Sequence, residues 1–273
     1  MGLAGKSATF MRRAKRSLHP FLALVLAVSA LSAISVISPL PSASANTFTS
    51  PNSEFAFDFV DGASDTIVKT QNNVGPIPAE ADFSVESWVF ADSNSGNWHT
   101  IMVQDQGEGT GQGVGRFYLG FPTGGALHIG IAGQAKNIAN IPLTAWTHVA
   151  LTLTRGASTS TTRTYINGSL VDTSTWNNVS ISTASGFSVG TATDGGYEFD
   201  GKIDQVKVWN GVLSEADIQK SMFAYSSEGI SSNTLRAHYD FNEGSGTTIT
   251  DPIMTLMKDL EQQLRIDLVT LRT

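Results

Sequence analysis

The sequence of 273 residues contains no cysteine. No disulfide can restrain its unfolded chain, so an exported protein of this kind must draw its stability from the size of its core. The same absence excludes zinc–thiolate centres and cysteine nucleophiles. Positive charge is also scarce. All 24 acids lie after residue 45 but only 12 of the 17 lysines and arginines do, which leaves that part of the chain at −12. Such a balance argues against nucleic acid or an anionic membrane as partner, and it is compatible with divalent-cation binding. The five histidines, His19, His99, His128, His148 and His238, include no pair at metal-ligand spacing, and there is no nucleophile-elbow motif. Helical apolar periodicity is missing before Ser214, which removes the crossover helices that a parallel α/β sheet needs.

What is present begins with a basic segment, Lys6, Arg12, Arg13, Lys15 and Arg16. The uncharged apolar run Phe21 to Ile37 and the small-x-small tripeptide Ala43-Ser44-Ala45 follow it. This order predicts a signal peptide over 1–45, cleaved after Ala45, and hence a secreted or cell-surface protein with no stable membrane insertion after cleavage. An uncleaved anchor is the alternative, since the run just reaches spanning length.

From Asn46 the chain reads all-β. Phe55, Phe57 and Phe59 alternate with Ala56 and Asp58 before an Asp61-Gly62 turn. In Phe83 to Phe90, Phe83, Val85 and Val89 face one way and Ser84, Glu86 and Trp88 the other, a second face expected near a sheet edge or in a groove. Ile101 to Val103, Arg116 to Phe121 and Ala126 to Ile131 are further strands, joined by Gly-rich connections. Trp146 to Thr154 is the clearest alternation, with Val149, Leu151 and Leu153 inward. Asn167-Gly168 between extended segments predicts a type I′ hairpin, because both central positions of that turn need φ > 0. It is also a glycosylation sequon, for which the tight turn is the simpler explanation. Phe187 and Val189 begin a strand. In Lys202 to Trp209, Val206 and Val208 are expected to share a buried face with Asp204, with Lys207 pointing the other way. Ser214-Glu215-Ala216-Asp217 is a capping box opening a short helix with Ile218, Met222 and Phe223. Short strands at 8- to 15-residue spacing predict a two-sheet antiparallel sandwich.

The segments FAFDFVDGASDTIV, FSVESWVF, AWTHVALTLT, TYINGSLV, FSVGTA and FDGKIDQVKVWNGVLSEADI stand in order over roughly Phe55 to Phe223. Together they resemble the signature strands of a laminin-G-like or pentraxin-like jelly roll, the concanavalin A-like lectin/glucanase sandwich. The resemblance implies two curved antiparallel sheets over 46–225, a short helix after the last strand, and often a calcium ion and a carbohydrate or protein ligand at one rim. LRAHYDFNEGSGTTITD, within 226–251, is similar to the lead-in of a further repeat and is expected to be a linker. It runs instead into 252–273, where Asp251 and Pro252 start an amphipathic helix with Leu256, Leu260, Leu264, Leu268 and Leu271 at helical spacing. That helix docks on the sandwich, self-associates between chains, or marks an interrupted repeat.

In the pentraxin-like pattern the loop after the Val-Gly strand supplies metal ligands. Matched here, Asp194 takes an acidic position and Thr193 a carbonyl one, with Ala192 where glutamate is expected and Asp105 as a further ligand from the facing loop. The implied cofactor is calcium. A glycan platform needs exposed aromatics beside hydrogen-bonding groups, and Trp98 with His99, Trp176 and Tyr197 are the candidates, whereas Trp146 and Trp209 read as core. Catalytic residues are not expected. The resembling glucanases carry paired carboxylates on one strand, but Glu80, Asp82 and Glu86 are spaced one residue too widely. The expectation is therefore a non-enzymatic module binding a glycan or an extracellular protein. A glycoside hydrolase and a structural spacer of a surface protein are the alternatives.

Overall fold

A computed structural model describes residues 56–59, 68–69, 75–93, 98–105, 115–122, 125–182, 186–192, 196–224, 230 and 234–242. The signal peptide expected over 1–45 and the helix expected over 252–273 lie outside the described residues. Among those described, no helix is long and apolar enough to cross a membrane.

The elements are β1 (Phe57–Phe59), β2 (Val68–Lys69), β3 (Phe83–Ala91), β4 (His99–Asp105), β5 (Phe117–Phe121), β6 (Ala126–Ile131), β7 (Gln134–Asn140), β8 (Thr147–Thr154), β9 (Thr159–Ile166), β10 (Ser169–Asn177), β11 (Gly186–Val189), β12 (Gly201–Asn210), helix α1 (Glu215–Ser221) and β13 (Thr234–Tyr239). They form two antiparallel sheets, as the alternation predicts. The larger has the order β1-β12-β3-β8-β9-β10, with β13 also on β12, and the smaller runs β2-β11-β4-β5-β6-β7. One apolar core fills the space between them, with Phe83, Val85, Val149 and Leu151 from the larger sheet against Phe117, Leu119, Ile129 and Phe187 from the smaller. Phe83 and Phe117 meet edge-to-face at 5.6 Å, a favoured aromatic geometry.

Part of the expected linker belongs to this sandwich. β13 pairs with the second half of β12, Val208 opposite Ala237 and Trp209 opposite Leu235, while β1 pairs with the first half. Without β13 the second half of β12 would be an open edge, a configuration proteins cover or blunt. The sheet thus extends beyond the expected limit at 225.

The second faces of β3 and β12 also differ from expectation. β3 is a central strand between β12 and β8, and Glu86, Trp88 and Ser84 on its second face are buried. Asp204 does not share a face with Val206. The register shifts between Asp204 and Lys207, and Gln205 takes φ 51, so a bulge resets the alternation and Asp204 pairs with Trp88 while Lys207 pairs with Glu86. Helix α1 covers this face. Ser214 Oγ accepts from Asp217 N–H at 3.1 Å, closing the expected cap. Leu213 and Ile218 then pack with Ala150, Tyr165, Trp209, Ile230 and Leu235 in a second cluster.

The hairpin between β9 and β10 forms as predicted, with Asn167 at φ 51 and Gly168 at φ 75. Gln219 of α1 donates to Gly168 O at 3.1 Å, so the helix rests on the turn. A Cβ at Gly168 would lie 2.9 Å from Gln219 Cγ and 3.2 Å from Met222 Sδ. Gly168→Val is therefore expected to cost about 1–3 kcal/mol, from backbone strain at positive φ and from displacement of the helix. A denaturation midpoint equal to wild type would refute that expectation.

Candidate functional site

Side chains i and i+2 of a strand share a face. On β5 and the residue before it, Arg116, Tyr118 and Gly120 therefore look away from the core while Phe117, Leu119 and Phe121 enter it. On β6, His128 and Gly130 do the same against Leu127, Ile129 and Ile131. The register places Tyr118 opposite Gly130 and Gly120 opposite His128, which brings these positions together on the outer face of the smaller sheet. Trp98, just before β4, completes the group.

The result is a cleft open to solvent, lined by Trp98, Arg116, Tyr118, His128, Gly130 and Gln134 among others. Its aromatic groups are mutually edge-on. Trp98 stands at 4.9 Å and 87° to His128 and at 5.7 Å and 71° to Tyr118. Tyr118 is fixed by a hydrogen bond from its hydroxyl to His99 O at 3.0 Å, and burial pushes its phenol up, so it is neutral. His128 Nδ1 meets Asn137 Oδ1 at 2.6 Å. A carboxamide oxygen only accepts, so Nδ1 donates and Nε2 is left as an acceptor. Burial, reinforced by Arg116, lowers the pKa of His128 against the opposing effect of Asn137, which favours the neutral ring. The Arg116 guanidinium lies 5.1 Å from the Tyr118 ring centre, and its Nε is 3.4 Å from Asp105 Oδ2. Gly130 keeps the floor low: a Cβ there would meet only Tyr118 Cβ, at 3.4 Å.

Of the sequence candidates, Trp98 lines this cleft. His99 does not; its ring is fully buried, with Nδ1 2.8 Å from Glu198 O, and it serves the cleft only through the carbonyl that holds Tyr118. Tyr197 is half-buried outside the lining and holds β4 through its backbone carbonyl, which accepts from Thr100 N–H at 3.0 Å. Trp176 is not a surface platform, because its indole belongs to the core between the sheets and donates to Thr162 Oγ1 at 2.8 Å. Trp209 is core as expected, and Trp146 is half-buried against Phe90.

Thr193 and Asp194 lie outside the described residues. Asp105 does not fit the part of a calcium ligand, because its buried carboxylate already faces the Arg116 cation. Among the described residues no three His, Cys, Asp or Glu side chains are grouped to hold a metal. The carboxylates weighed for hydrolysis are dispersed. Glu80 is exposed, Asp82 accepts from Arg155 N–H at 2.7 Å, and Glu86 is sealed beneath α1.

Arg116, Tyr118, His128 and Gly130 were not singled out as a site from sequence. Their signal was polar or small residues alternating with core residues on adjacent strands, and its meaning depends on register.

The profile described as the concanavalin A-like lectin/glucanases superfamily matches residues 61–219, more than half the chain. Among solved structures, the chain is similar to a protein of Bacteroides ovatus ATCC 8483 to which carbohydrate binding has been assigned provisionally. Identity is 21%, with 72% of this chain and 54% of that one covered and a TM-score of 0.54. The chain thus spans about half the length of that protein. It is also similar to domain 4 of the arabinanase AbnA of Geobacillus stearothermophilus, solved with arabinotriose, at 18% identity over 60% of this chain and 85% of that one, TM-score 0.42. A third is the heptameric SAP-like pentraxin of Limulus polyphemus, at 16% identity over 72% and 93%, TM-score 0.45. A search of the curated proteins found no match.

Proposed function

The chain belongs to the concanavalin A-like lectin/glucanase superfamily, and from that premise we propose that it is a non-enzymatic, secreted or cell-surface module that binds carbohydrate in the cleft of Trp98, Arg116, Tyr118 and His128. The observation that carries this reading is the composition of the cleft. A saccharide ring presents apolar C–H faces and a rim of hydroxyls, and it is best met by aromatic rings with a few fixed donors and acceptors. Trp98, half-buried, supplies the ring open to a ligand, and Tyr118, 3% exposed, backs it edge-on. His128 Nε2 and the Arg116 guanidinium supply polar groups on rigid strands, which lowers the ordering cost of binding; the Gln134 amide is engaged with the Asn177 backbone. The carbohydrate binding assigned to the Bacteroides ovatus protein agrees with this reading, though that likeness is one of fold. A glycoside hydrolase draws no support from the cleft, since no carboxylate is among its described lining residues, whereas hydrolysis needs a pair.

The test is a glycan array followed by calorimetric titration of the best ligand, run in calcium and in chelator to read the expected calcium dependence. Gly130→Val adds bulk to the floor where the backbone has no positive φ and a Cβ meets only Tyr118 Cβ, at 3.4 Å. It is expected to weaken binding at least tenfold, about 1.4 kcal/mol, without changing the melting temperature by more than a degree or two. Trp98→Ala is expected to cost about 2 kcal/mol or more, as aromatic anchors do. Full binding by both variants would place the ligand elsewhere. Binding of a protein and of no glycan would favour the protein-ligand alternative, and no ligand at all would favour a spacer.

A further inference from the structure

We propose, on the reading of the cleft given above, that Asp105 sets its specificity by neutralising Arg116, so that the cleft takes uncharged saccharides and rejects uronic, sialic and sulfated ones. Arginine in a sugar site ordinarily selects acids, because its guanidinium matches a carboxylate or sulfate. Here that charge is already matched. Arg116 and Asp105 are 6% and 4% exposed and 3.4 Å apart, so little water screens one from the other. The pair lies across adjacent strands, with Asp105 ending β4 and Arg116 leading into β5. Arg116 lines the cleft while Asp105 sits behind it. An incoming anion would face the Asp105 carboxylate through the guanidinium and would have to displace it or share it.

Among the described residues, the other groups around the cleft do not restore a positive field. His128 is biased to its neutral form and Tyr118 is neutral. Lys136, the cation of β7, is drawn toward β10, where its Nζ is 2.7 Å from Asp172 Oδ1 and donates to Ser174 Oγ at 2.8 Å. What remains for a ligand among the described residues is an aromatic wall with polar groups of no net charge, which suits a neutral pyranose or furanose ring.

The experiment compares neutral oligosaccharides with their acidic counterparts of the same linkage, titrated into the full chain at low and high salt. Wild type is expected to favour the neutral member by tenfold or more with little salt dependence. Asp105→Asn keeps the side chain's shape and frees the Arg116 charge. It should raise affinity for the acidic member at least tenfold in a salt-sensitive manner, and adding Arg116→Gln should abolish that gain. A melt of each variant establishes that it is folded. Preference of wild type for the acidic member overturns the inference while leaving the cleft as a glycan site. An unchanged preference in folded Asp105→Asn does the same. Should neither protein bind any oligosaccharide, the glycan reading falls and this inference with it.

Discussion

Glu86→Ala is expected to destabilise the protein by about 3–5 kcal/mol, because it leaves a buried cation without its counter-charge. Glu86 is fully buried beneath α1. Its Oε1 accepts from Trp209 Nε1 at 2.9 Å and from the Ser221 hydroxyl, and its Oε2 is 3.2 Å from His148 Nε2. Lys207 Nζ stands 4.0 Å from Oε1 and donates to Ser221 O at 2.7 Å and Ala224 O at 2.6 Å. The ammonium thus caps the last carbonyl of the helix and one just beyond it, while the carboxylate balances its charge. Trp88 Nε1 donates to Met222 O at 2.8 Å beside them. Removing Glu86 strips the counter-charge and strands the Trp209 N–H. Removing both charges, as Glu86→Ala with Lys207→Met, should cost less than adding the two single effects, since neither member of the pair is then left facing a missing partner. Urea unfolding checks this; a single-variant loss under about 1 kcal/mol, or strict additivity, would show that the network is not coupled.

The same network implies acid lability. Burial pushes the Glu86 carboxyl up, but Lys207 and then His148 and Ser221 more than reverse this, bringing it to about 2. A depressed carboxylate contributes stability above its unfolded pKa and loses it as pH falls, here from about 4.5 down through 2. His238, buried and 2.8 Å from Gln205 Oε1, is lowered to about 4 by burial and then by Lys207. The unfolded chain takes up this proton first, so its contribution fades as pH falls from about 6.5 to 4. Each amounts to something on the order of 3 kcal/mol. Glu86→Ala should flatten the lower limb of the stability–pH curve and leave the upper limb standing.

Trp176→Ala is expected to cost about 3–5 kcal/mol in stability, with ligand affinity of the folded protein kept within about twofold. Read from sequence, Trp176 between Thr175 and Asn177 was a glycan platform, which predicts the reverse pattern. In the fold its indole fills the main core and its N–H is satisfied by Thr162. Truncation therefore opens a cavity and orphans the Thr162 acceptor. A normal urea midpoint combined with lost glycan binding would return Trp176 to the surface.

The two tryptophan outcomes show where sequence reasoning stops. Trp98 and Trp176 sit in similar polar surroundings along the chain, and neither has an alternation strong enough to assign its face. Which one opens to solvent is decided by the strands that pack over β10 and beside β4. The carboxylates follow the same rule. Glu86 was legible as out of phase with the core residues of β3, yet the phase does not say that α1 returns across that face to bury it with Lys207. For Asp204 even the phase failed, because one bulged residue at Gln205 inverts the alternation without a mark in the residue types.

By itself, the sequence determined that this is an antiparallel sandwich, that Asn167-Gly168 turns a hairpin, and that Ser214 caps a helix. All three rest on local physics: period-two alternation, positive φ at two adjacent residues, and a hydroxyl three residues from an amide. Tertiary structure decided the rest. It drew β13 into the larger sheet, placed a carboxylate and an ammonium together under α1, and aligned Arg116, Tyr118, His128 and Gly130 across one cleft. Those arrangements depend on strand order and on register between residues far apart in the chain, and a single-residue slip would turn every one of these side chains to the opposite face.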